Sequence, residues 1–243
     1  ARVRAYTWLQ ALACRSAEAI LVDSEYSRRD VLRLLRVPPD RVHTIYLAVH
    51  ERFSPDRSGP SPVDQPYIFY IGGWDARKNV PALIQAFAKV ARQRPDLVLA
   101  IAGEPGSRSA MFPDLRALAA PLDDRVRFLG RVSDQAKLAL YRHAELFAFP
   151  SLYEGFGLDP LEALACGCPV VSSDASCLPE IVGEAGLLVD ARSPQALAEA
   201  MLQVLADPDP WRAKGPAQAA KFSWQRMADQ TAAIYRAVLD TSS

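Results

Sequence analysis

The residues best suited to chemistry lie in the stretch FAFPSLYEGFGLDPLEA, which spans residues 147–163. An apolar run ends at Pro150, a loop follows, and a helix is predicted to begin near Leu158 with Pro160 in its first turn. A helix start offers backbone N–H groups and a positive dipole end to an anion such as a phosphate. Glycines in the loop let the backbone come close to a ligand. The candidate phosphate-binding residues are therefore Gly155, Phe156, Gly157 and Leu158.

Two carboxylates bracket this loop: Glu154 precedes the glycines, and Glu162 lies on the predicted helix. A carboxylate beside a pyrophosphate would be repelled by it. We therefore interpret both side chains as hydrogen-bond acceptors for neighbouring hydroxyls, Glu154 for those of a sugar and Glu162 for those of a ribose. The combination predicts a site for a nucleotide sugar.

A second candidate site follows the apolar strand predicted over Tyr67–Ile71. Gly72 and Gly73 come directly after the strand, and Arg77 and Lys78 precede the next predicted helix. An ammonium beside a helix start is well placed to bind a diphosphate. A further predicted strand ends just before Gly103, which is a candidate contact to a base or ribose because glycine permits close approach of the backbone.

The spacing of the two glutamates, with Pro150-Ser151 before them and the segment ALACGCPVV over 163–171, resembles glycosyltransferase family 4. The resemblance implies a retaining enzyme of the GT-B fold, in which two Rossmann-like domains face each other across a cleft. It covers the end of the first domain and the whole of the second. It also implies that Lys78 contacts the diphosphate and that the segment FLGRV over 128–132, which includes Arg131, faces the nucleobase. Many members carry an Arg where this chain has Gly73, and Arg77 is expected to supply that charge.

Strands and helices alternate along most of the chain, which predicts an α/β fold with a doubly wound, mostly parallel sheet. The strands are predicted over 19–23, 42–47, 67–71, 97–102, 126–129, 146–149, 170–172 and 187–189. The helices are predicted over 2–18, 24–36, 79–92, 110–119, 134–143, 158–166, 178–182, 194–206, 211–221 and 223–239. Ser27 and Asn79 are the predicted N-caps of two of these helices.

The predicted domain organisation has four parts. Residues 1–53 are interpreted as an α/β remnant of a preceding Rossmann-like domain. Residues 54–66, rich in proline and serine, are interpreted as a linker. The nucleotide-sugar-binding domain is predicted over 67–222. Residues 223–243 are the helix that, in the family, crosses back to the first domain.

Composition narrows the class of protein. The 243 residues include 28 basic and 28 acidic side chains, and this neutral balance gives no reason to expect nucleic acid as a partner. No apolar run approaches the roughly 18 residues of a membrane span. Four cysteines without a regular framework are typical of reduced thiols, so we expect a cytoplasmic protein. No metal or cofactor is expected beyond the donor substrate.

The resemblance implies transfer of a hexosyl group to a glycan or lipid-linked acceptor. Arg77-Lys78-Asn79 resembles the segment of bacterial mannosyl- and related transferases, so GDP-mannose is the first expectation for the donor, with UDP-glucose or another nucleotide sugar as the alternative. The catalytic candidates are Glu154, Lys78 and Arg77. Two alternatives stay open: a nucleotide-sugar epimerase of the same fold, and a module that binds a nucleotide sugar without turning it over. The isolated chain is expected to bind but not to transfer. Peripheral membrane association is expected only through a domain outside this chain.

Overall fold

The computed structural model describes residues 10–104 and 112–241. Two compact units emerge from the contacts within the chain. One combines the residues up to Ala48 with those from Phe222 onward, and the other runs from Val49 to Lys221. Within the described ranges, no helix is both long and apolar enough to span a bilayer.

The larger unit is built on a six-stranded sheet in which every neighbouring pair is parallel. The strands are β3 (Tyr67–Ile71), β4 (Val98–Ala102), β5 (Val126–Gly130), β6 (Leu146–Phe149), β7 (Val170–Ser173) and β8 (Leu187–Val189). Their spatial order is β5-β4-β3-β6-β7-β8. The chain therefore builds outward from β3 in one direction and then reverses at β6, which is the doubly wound order of Rossmann-like folds. This confirms the predicted fold class.

Helices connect these strands and cover the sheet. They are α2 (Val80–Gln93), α3 (Leu115–Ala119), α4 (Asp134–His143), α5 (Leu158–Ala165), α6 (Leu178–Val182), α7 (Pro194–Ala206) and α8 (Asp209–Ala219). Because a parallel sheet is covered on both faces, its central strands β3, β4 and β6 are continuous apolar runs rather than alternating ones. All of β4 and β6 is buried, and α2 contributes eight buried side chains.

The smaller unit contains two three-residue parallel strands, β1 (Ile20–Val22) and β2 (Val42–Thr44), with Ile20 opposite Val42. Helix α1 (Glu25–Leu35) connects them, and α9 (Trp224–Thr241) belongs to the same unit. Residues 10–16 are also helical. The edge of one ring meets the face of the other where Tyr46 and Phe222 pack, 5.7 Å between centroids.

Several predicted boundaries need correction. Ser27 is not a cap: Ser24 is the N-cap of α1, and its Oγ accepts from the Ser27 amide at 3.0 Å. The strand predicted over 42–47 ends at Thr44, and the helix predicted over 211–221 is α8, shifted by two residues. The helix predicted over 110–119 begins only at Leu115, and its first two residues lie outside the described ranges. The first eight residues of the helix predicted over 2–18 also lie outside them.

Candidate functional site

The candidate site lies at the carboxyl ends of β3 and β6, where the strand order reverses. Ligands of doubly wound folds bind in the crevice that forms at this point. The two loops that leave these strands are joined directly, because the Leu152 amide donates to the Arg77 carbonyl at 2.7 Å. Asn79 adds a second link: its side-chain amide donates to the carbonyls of Pro150 at 3.3 Å and Ala191 at 2.7 Å.

This role replaces the one that the sequence predicted for Asn79. Asn79 is the N-cap residue of α2 by position, but its side chain makes no capping hydrogen bond. Its backbone is left-handed, with φ +54°, because it closes the 3₁₀ turn Ala76–Lys78 before the helix begins. Its side chain therefore joins three loops instead of capping one helix.

Lys78 and Glu154 form an ion pair across the two loops. The Lys78 Nζ lies 2.6 Å from Glu154 Oε1, and the Ser151 Oγ donates to the same oxygen at 2.5 Å. The two charged side chains are only 14% and 13% exposed. Within the described residues no side chain donates to Glu154 Oε2, so this oxygen can accept from a ligand hydroxyl. Lys78 Nζ also lies 5.2 Å from the centre of the Phe149 ring.

Arg77, the other predicted cation, is turned away from this pair. Its Nε donates to Asp75 Oδ1 at 3.0 Å, and its side chain is 55% exposed. Asp75 is the N-cap of the Ala76–Lys78 turn, where its carboxylate accepts the Arg77 amide at 3.2 Å. The Asp75 carboxylate thus binds both the backbone amide and the guanidinium of Arg77. A contact between Arg77 and a diphosphate would require the Arg77–Asp75 ion pair to open.

Glycines allow three strand ends to come close together. The Gly103 amide donates to the Gly130 carbonyl at 2.8 Å, and the Gly72 amide donates to the Ala102 carbonyl at 3.4 Å. A Cβ atom on Gly103 would lie 2.1 Å from the Gly72 carbonyl oxygen, and its φ of +116° suits only glycine. Gly103 is therefore required for this approach.

Trp74 packs beside this junction, 5.3 Å from Phe128 between ring centres. Its buried indole N–H has no hydrogen-bond partner in the part of the chain that the structure describes. Gly73 is held by the Tyr70 hydroxyl, which donates to its carbonyl at 2.7 Å. Arg131 lies past the end of β5 with an exposed side chain.

The glycine loop before α5 is held by the loop that follows β7. The Glu154 amide donates to Ser176 Oγ at 3.1 Å, and the Cys177 thiol lies 3.0 Å from the Phe156 carbonyl. Gly157 has φ +98° and is the residue directly before Leu158, the first of α5. The phosphate-binding candidates, including Gly155, are thus brought to one helix start, as the sequence pattern requires.

Glu162 meets a second lysine that the sequence analysis did not single out. Lys137, on α4, places its Nζ 2.9 Å from Glu162 Oε1 and 2.7 Å from Oε2. The Tyr141 hydroxyl also donates to Oε2 at 3.2 Å. Lys137 and Tyr141 are four residues apart and so share one face of α4. The sequence shows this spacing, but it does not show that the shared face meets Glu162.

Asp159 is a third carboxyl at this site that the sequence analysis passed over. It lies one turn before Glu162, and its Oδ1 is 3.4 Å from the Tyr141 hydroxyl. Burial, followed by the negative charge of Glu162, raises the pKa of Asp159 to about 6. The positive charges of Lys137 and Lys78 counter this rise. Burial also raises the pKa of Glu162, against the hydrogen bond and charge of Lys137.

These residues give the site a definite chemical character. Lys78 and a helix start supply positive charge for an anion, and the carboxylates supply acceptors for hydroxyl groups. No group of three or more His, Cys, Asp or Glu side chains placed to hold a metal ion occurs within residues 10–104 and 112–241.

Comparison with known proteins gives consistent matches. Residues 52–221 match the family described as "Glycosyl transferases group 1". An Escherichia coli relative named O-antigen chain mannosyltransferase B is 38% identical over 240 residues, covering 91% of this chain and 61% of the relative. The chain thus spans about three fifths of the length of this relative.

Solved structures agree on the fold. Sucrose-phosphate synthase from Thermosynechococcus elongatus matches with a TM-score of 0.81 and 26% identity, covering 96% of this chain and 61% of that one. HepE from Anabaena, solved in complex with UDP-glucose, matches with a TM-score of 0.78 and 21% identity, covering 93% and 65%. The six-stranded unit has the architecture of one Rossmann-like half of a GT-B protein.

Proposed function

The chain belongs to the group 1 glycosyl transferases, and from this premise we propose that its site binds a nucleoside diphosphate sugar for retaining transfer of a hexosyl group, as in glycosyltransferase family 4. The observation that carries the proposal is the buried Lys78–Glu154 pair beside the start of α5. In the proposal, Lys78 is the cation for the diphosphate and Glu154 is the acceptor for sugar hydroxyls, and both lie beside a helix start at the switch point of the sheet.

In this proposal the leaving diphosphate is stabilised by positive charge. Lys78 contacts the diphosphate, together with the backbone at Phe156, Gly157 and Leu158. Fixed positive groups aimed at the developing charge of a leaving group are usually the largest catalytic contribution. Arg77 adds a second cation if its contact with Asp75 opens. This arrangement needs no bound metal, so we expect donor binding to be unchanged by EDTA.

The carboxylates orient the donor. Glu154 has both of its protein donors on Oε1, so we assign Oε2 to the hydroxyls of the transferred sugar. Glu162 accepts from the ribose hydroxyls. Gly72, Gly73, Gly103 and Arg131 line the strand ends at which we place the nucleoside. Charge-assisted hydrogen bonds of this kind are the strong ones and give geometric specificity.

For the donor we propose GDP-mannose, and for the acceptor a glycan or a lipid-linked glycan in polysaccharide synthesis. Support comes from the 38% identity to a protein named O-antigen chain mannosyltransferase B. We place the reaction in the cytoplasm, where the free cysteines stay reduced. HepE, whose structure contains UDP-glucose, makes UDP-glucose the competing donor to test.

Thermal shift of the 243-residue chain against GDP, UDP, GDP-mannose and UDP-glucose tests the binding step. We expect the largest rise in Tm with the guanine compounds. Lys78→Ala and Glu162→Ala should each weaken binding about ten- to a hundredfold, because each removes a charge-assisted contact. Lys89→Ala, at an exposed contact with Gln195, is the control. A chain that binds none of the four ligands contradicts the proposal.

The chemical step is tested on a longer protein that contains this chain. We expect the product of a transfer assay to keep the anomeric configuration of the donor. An inverted linkage would contradict the retaining assignment. Recovery of an epimerised donor from incubations without acceptor would instead favour the epimerase.

A further inference from the structure

Lys137 has a geometry that the proposed donor site does not yet use. Its ammonium lies 2.9 Å from Glu162 Oε1 and 2.7 Å from Oε2, so it contacts both oxygens of the carboxylate. Both side chains are largely buried, at 19% and 12% exposure. Ordering a lysine side chain costs rotamer entropy, which an interaction with a partner must offset. Here the partner is Glu162, the proposed ribose acceptor.

Lys137 also contacts an aromatic ring. Its Nζ lies 5.4 Å from the centre of the Phe53 ring, and Phe53 is itself buried against Tyr141 at 6.2 Å between ring centres. One residue earlier, Arg52 pairs with Asp134 in the first turn of α4 at 2.8 Å. The segment around Phe53 thus contacts the helix that carries Lys137, and the ammonium has both an aromatic ring and Glu162 as neighbours.

The charge state of Glu162 depends on this arrangement. The groups that act on it are Lys137 and Tyr141 from α4, Asp159 from its own helix, and Arg52 from the preceding segment. Burial favours the protonated form of Glu162, and Lys137 is the closest group that opposes it. A protonated carboxyl carries an O–H donor on one oxygen, so it no longer offers two acceptor oxygens to a pair of hydroxyl donors.

We propose that Lys137 is a positioning residue of the donor site, which keeps the Glu162 carboxylate charged and fixes both of its oxygens toward the paired hydroxyls of a ribose. This inference rests on the proposed function. It assigns to α4 and to the segment around Phe53 a part in nucleotide recognition. Lys137 acts through Glu162 and needs no contact of its own with the nucleotide.

The first test is nucleoside diphosphate binding measured by calorimetry between pH 5 and 9. The variants are Lys137→Met, which keeps the stem and removes the charge, and Lys137→Arg, which restores it. Lys89→Met removes an exposed lysine as the control. We expect Lys137→Met to weaken GDP binding about tenfold or more at pH 7, with affinity recovering at higher pH. Lys137→Arg should regain most of the affinity, and the control should bind as the original chain does.

The pH dependence separates this role from a structural one. In the proposal, the affinity for GDP falls as Glu162 takes up a proton. Lys137→Met raises the pKa of Glu162, so it should move this fall in affinity to higher pH. The same series on an Asp159→Asn background removes the second group that titrates nearby. A general loosening of the fold would lower affinity at every pH without moving the midpoint. Urea unfolding of each variant measures any such loosening separately.

A second readout needs no ligand. In protein labelled with ¹³C at the glutamate carboxyl carbon, the Glu162 signal is assigned by its loss in Glu162→Gln, and its titration is followed by NMR. We expect a higher pKa in Lys137→Met than in the original chain. An unchanged Glu162 titration, or unchanged GDP affinity where Glu162→Ala weakens binding, overturns the inference. If the original chain binds no nucleotide while the titration does shift, the proposed function fails and the charge coupling stands.

Discussion

At the scale of single residues, the candidate site contains two lysine–glutamate pairs that are both largely buried, Lys78 with Glu154 and Lys137 with Glu162. Removing one partner of such a pair leaves the other charge without compensation in a poorly solvated place. That loss exceeds what the pair itself contributes to stability. These pairs therefore make the site sensitive to single substitutions but tolerant of paired ones.

We expect Lys78→Met to lower the free energy of unfolding by roughly 3 kcal/mol at pH 7, because it leaves Glu154 buried with Ser151 as its remaining partner. Lys78→Met combined with Glu154→Leu should recover most of the loss. Urea unfolding measures both. Arg94→Met at the more exposed Arg94–Asp96 pair is the matched control and should cost less than about 1 kcal/mol. Equal losses at the two pairs would contradict the argument.

Asp159 makes stability depend on pH in the opposite sense to an ordinary surface carboxylate. Its pKa rises from 3.8 to about 6 on folding, so the folded protein holds this proton more tightly than the unfolded chain. The resulting stabilisation is complete below about pH 3.8 and is lost as the pH rises through about 6, and it amounts to roughly 3 kcal/mol. Asp159→Asn should flatten this part of the curve. Urea unfolding at steps between pH 4 and 7.5 measures the slope, and an unchanged slope would place the titration elsewhere.

The sequence predicted only those site residues whose position follows from chain order. Lys78 and Glu154 come after the strands that flank the switch point, so the fold brings them together. Lys137 meets Glu162 from 25 residues away, through the packing of one helix on another, and no local pattern encodes that contact. Arg77 was predicted at the diphosphate, and that stays a prediction; in the structure its Nε pairs with the carboxylate of the neighbouring Asp75 at 3.0 Å.

At the scale of elements, the alternation of apolar strands with helices was enough to predict the parallel sheet. Helix ends were less well predicted, because composition does not show where a cap or a turn interrupts the helix. Asn79 illustrates the limit: it was predicted as a side-chain cap, but the 3₁₀ turn before it sets its backbone to a left-handed conformation. The side chain of Asn79 instead donates hydrogen bonds to the carbonyls of Pro150 and Ala191, which lie on two other loops.

The glycine junction between strand ends gives a prediction at this scale. Gly103→Ala places a Cβ 2.1 Å from the Gly72 carbonyl oxygen and strains a φ of +116°, so we expect a loss of more than about 3 kcal/mol in the free energy of unfolding. Gly130→Ala is the control, because its φ is also positive at +67° but its Cβ would meet open space. It should cost about 1 to 2 kcal/mol. Similar losses for both variants would mean that the close approach has no energetic weight.

At the scale of the whole molecule, the two units differ in how much apolar surface they bury internally. The larger unit has a six-stranded sheet with β4 and β6 wholly buried. In the smaller unit β1 and β2 have three residues each, and α1 has no fully buried residue. Two short strands and a helix without a fully buried residue supply little hydrophobic stabilisation, since that stabilisation scales with the apolar area removed from water.

Native-state hydrogen exchange should resolve this difference. We expect the amides of β3, β4, β6 and β7 to exchange slowest, and those of β1 and β2 to exchange through smaller, local openings. GDP at about 100 times its Kd should stabilise the unit that binds it by about 2.7 kcal/mol, which slows exchange of the slowest sheet amides about a hundredfold. The amides of β1 and β2 should keep their rates, because their openings leave the proposed nucleotide site intact. Slowing by the same factor in both units would instead show that the chain unfolds as one cooperative body.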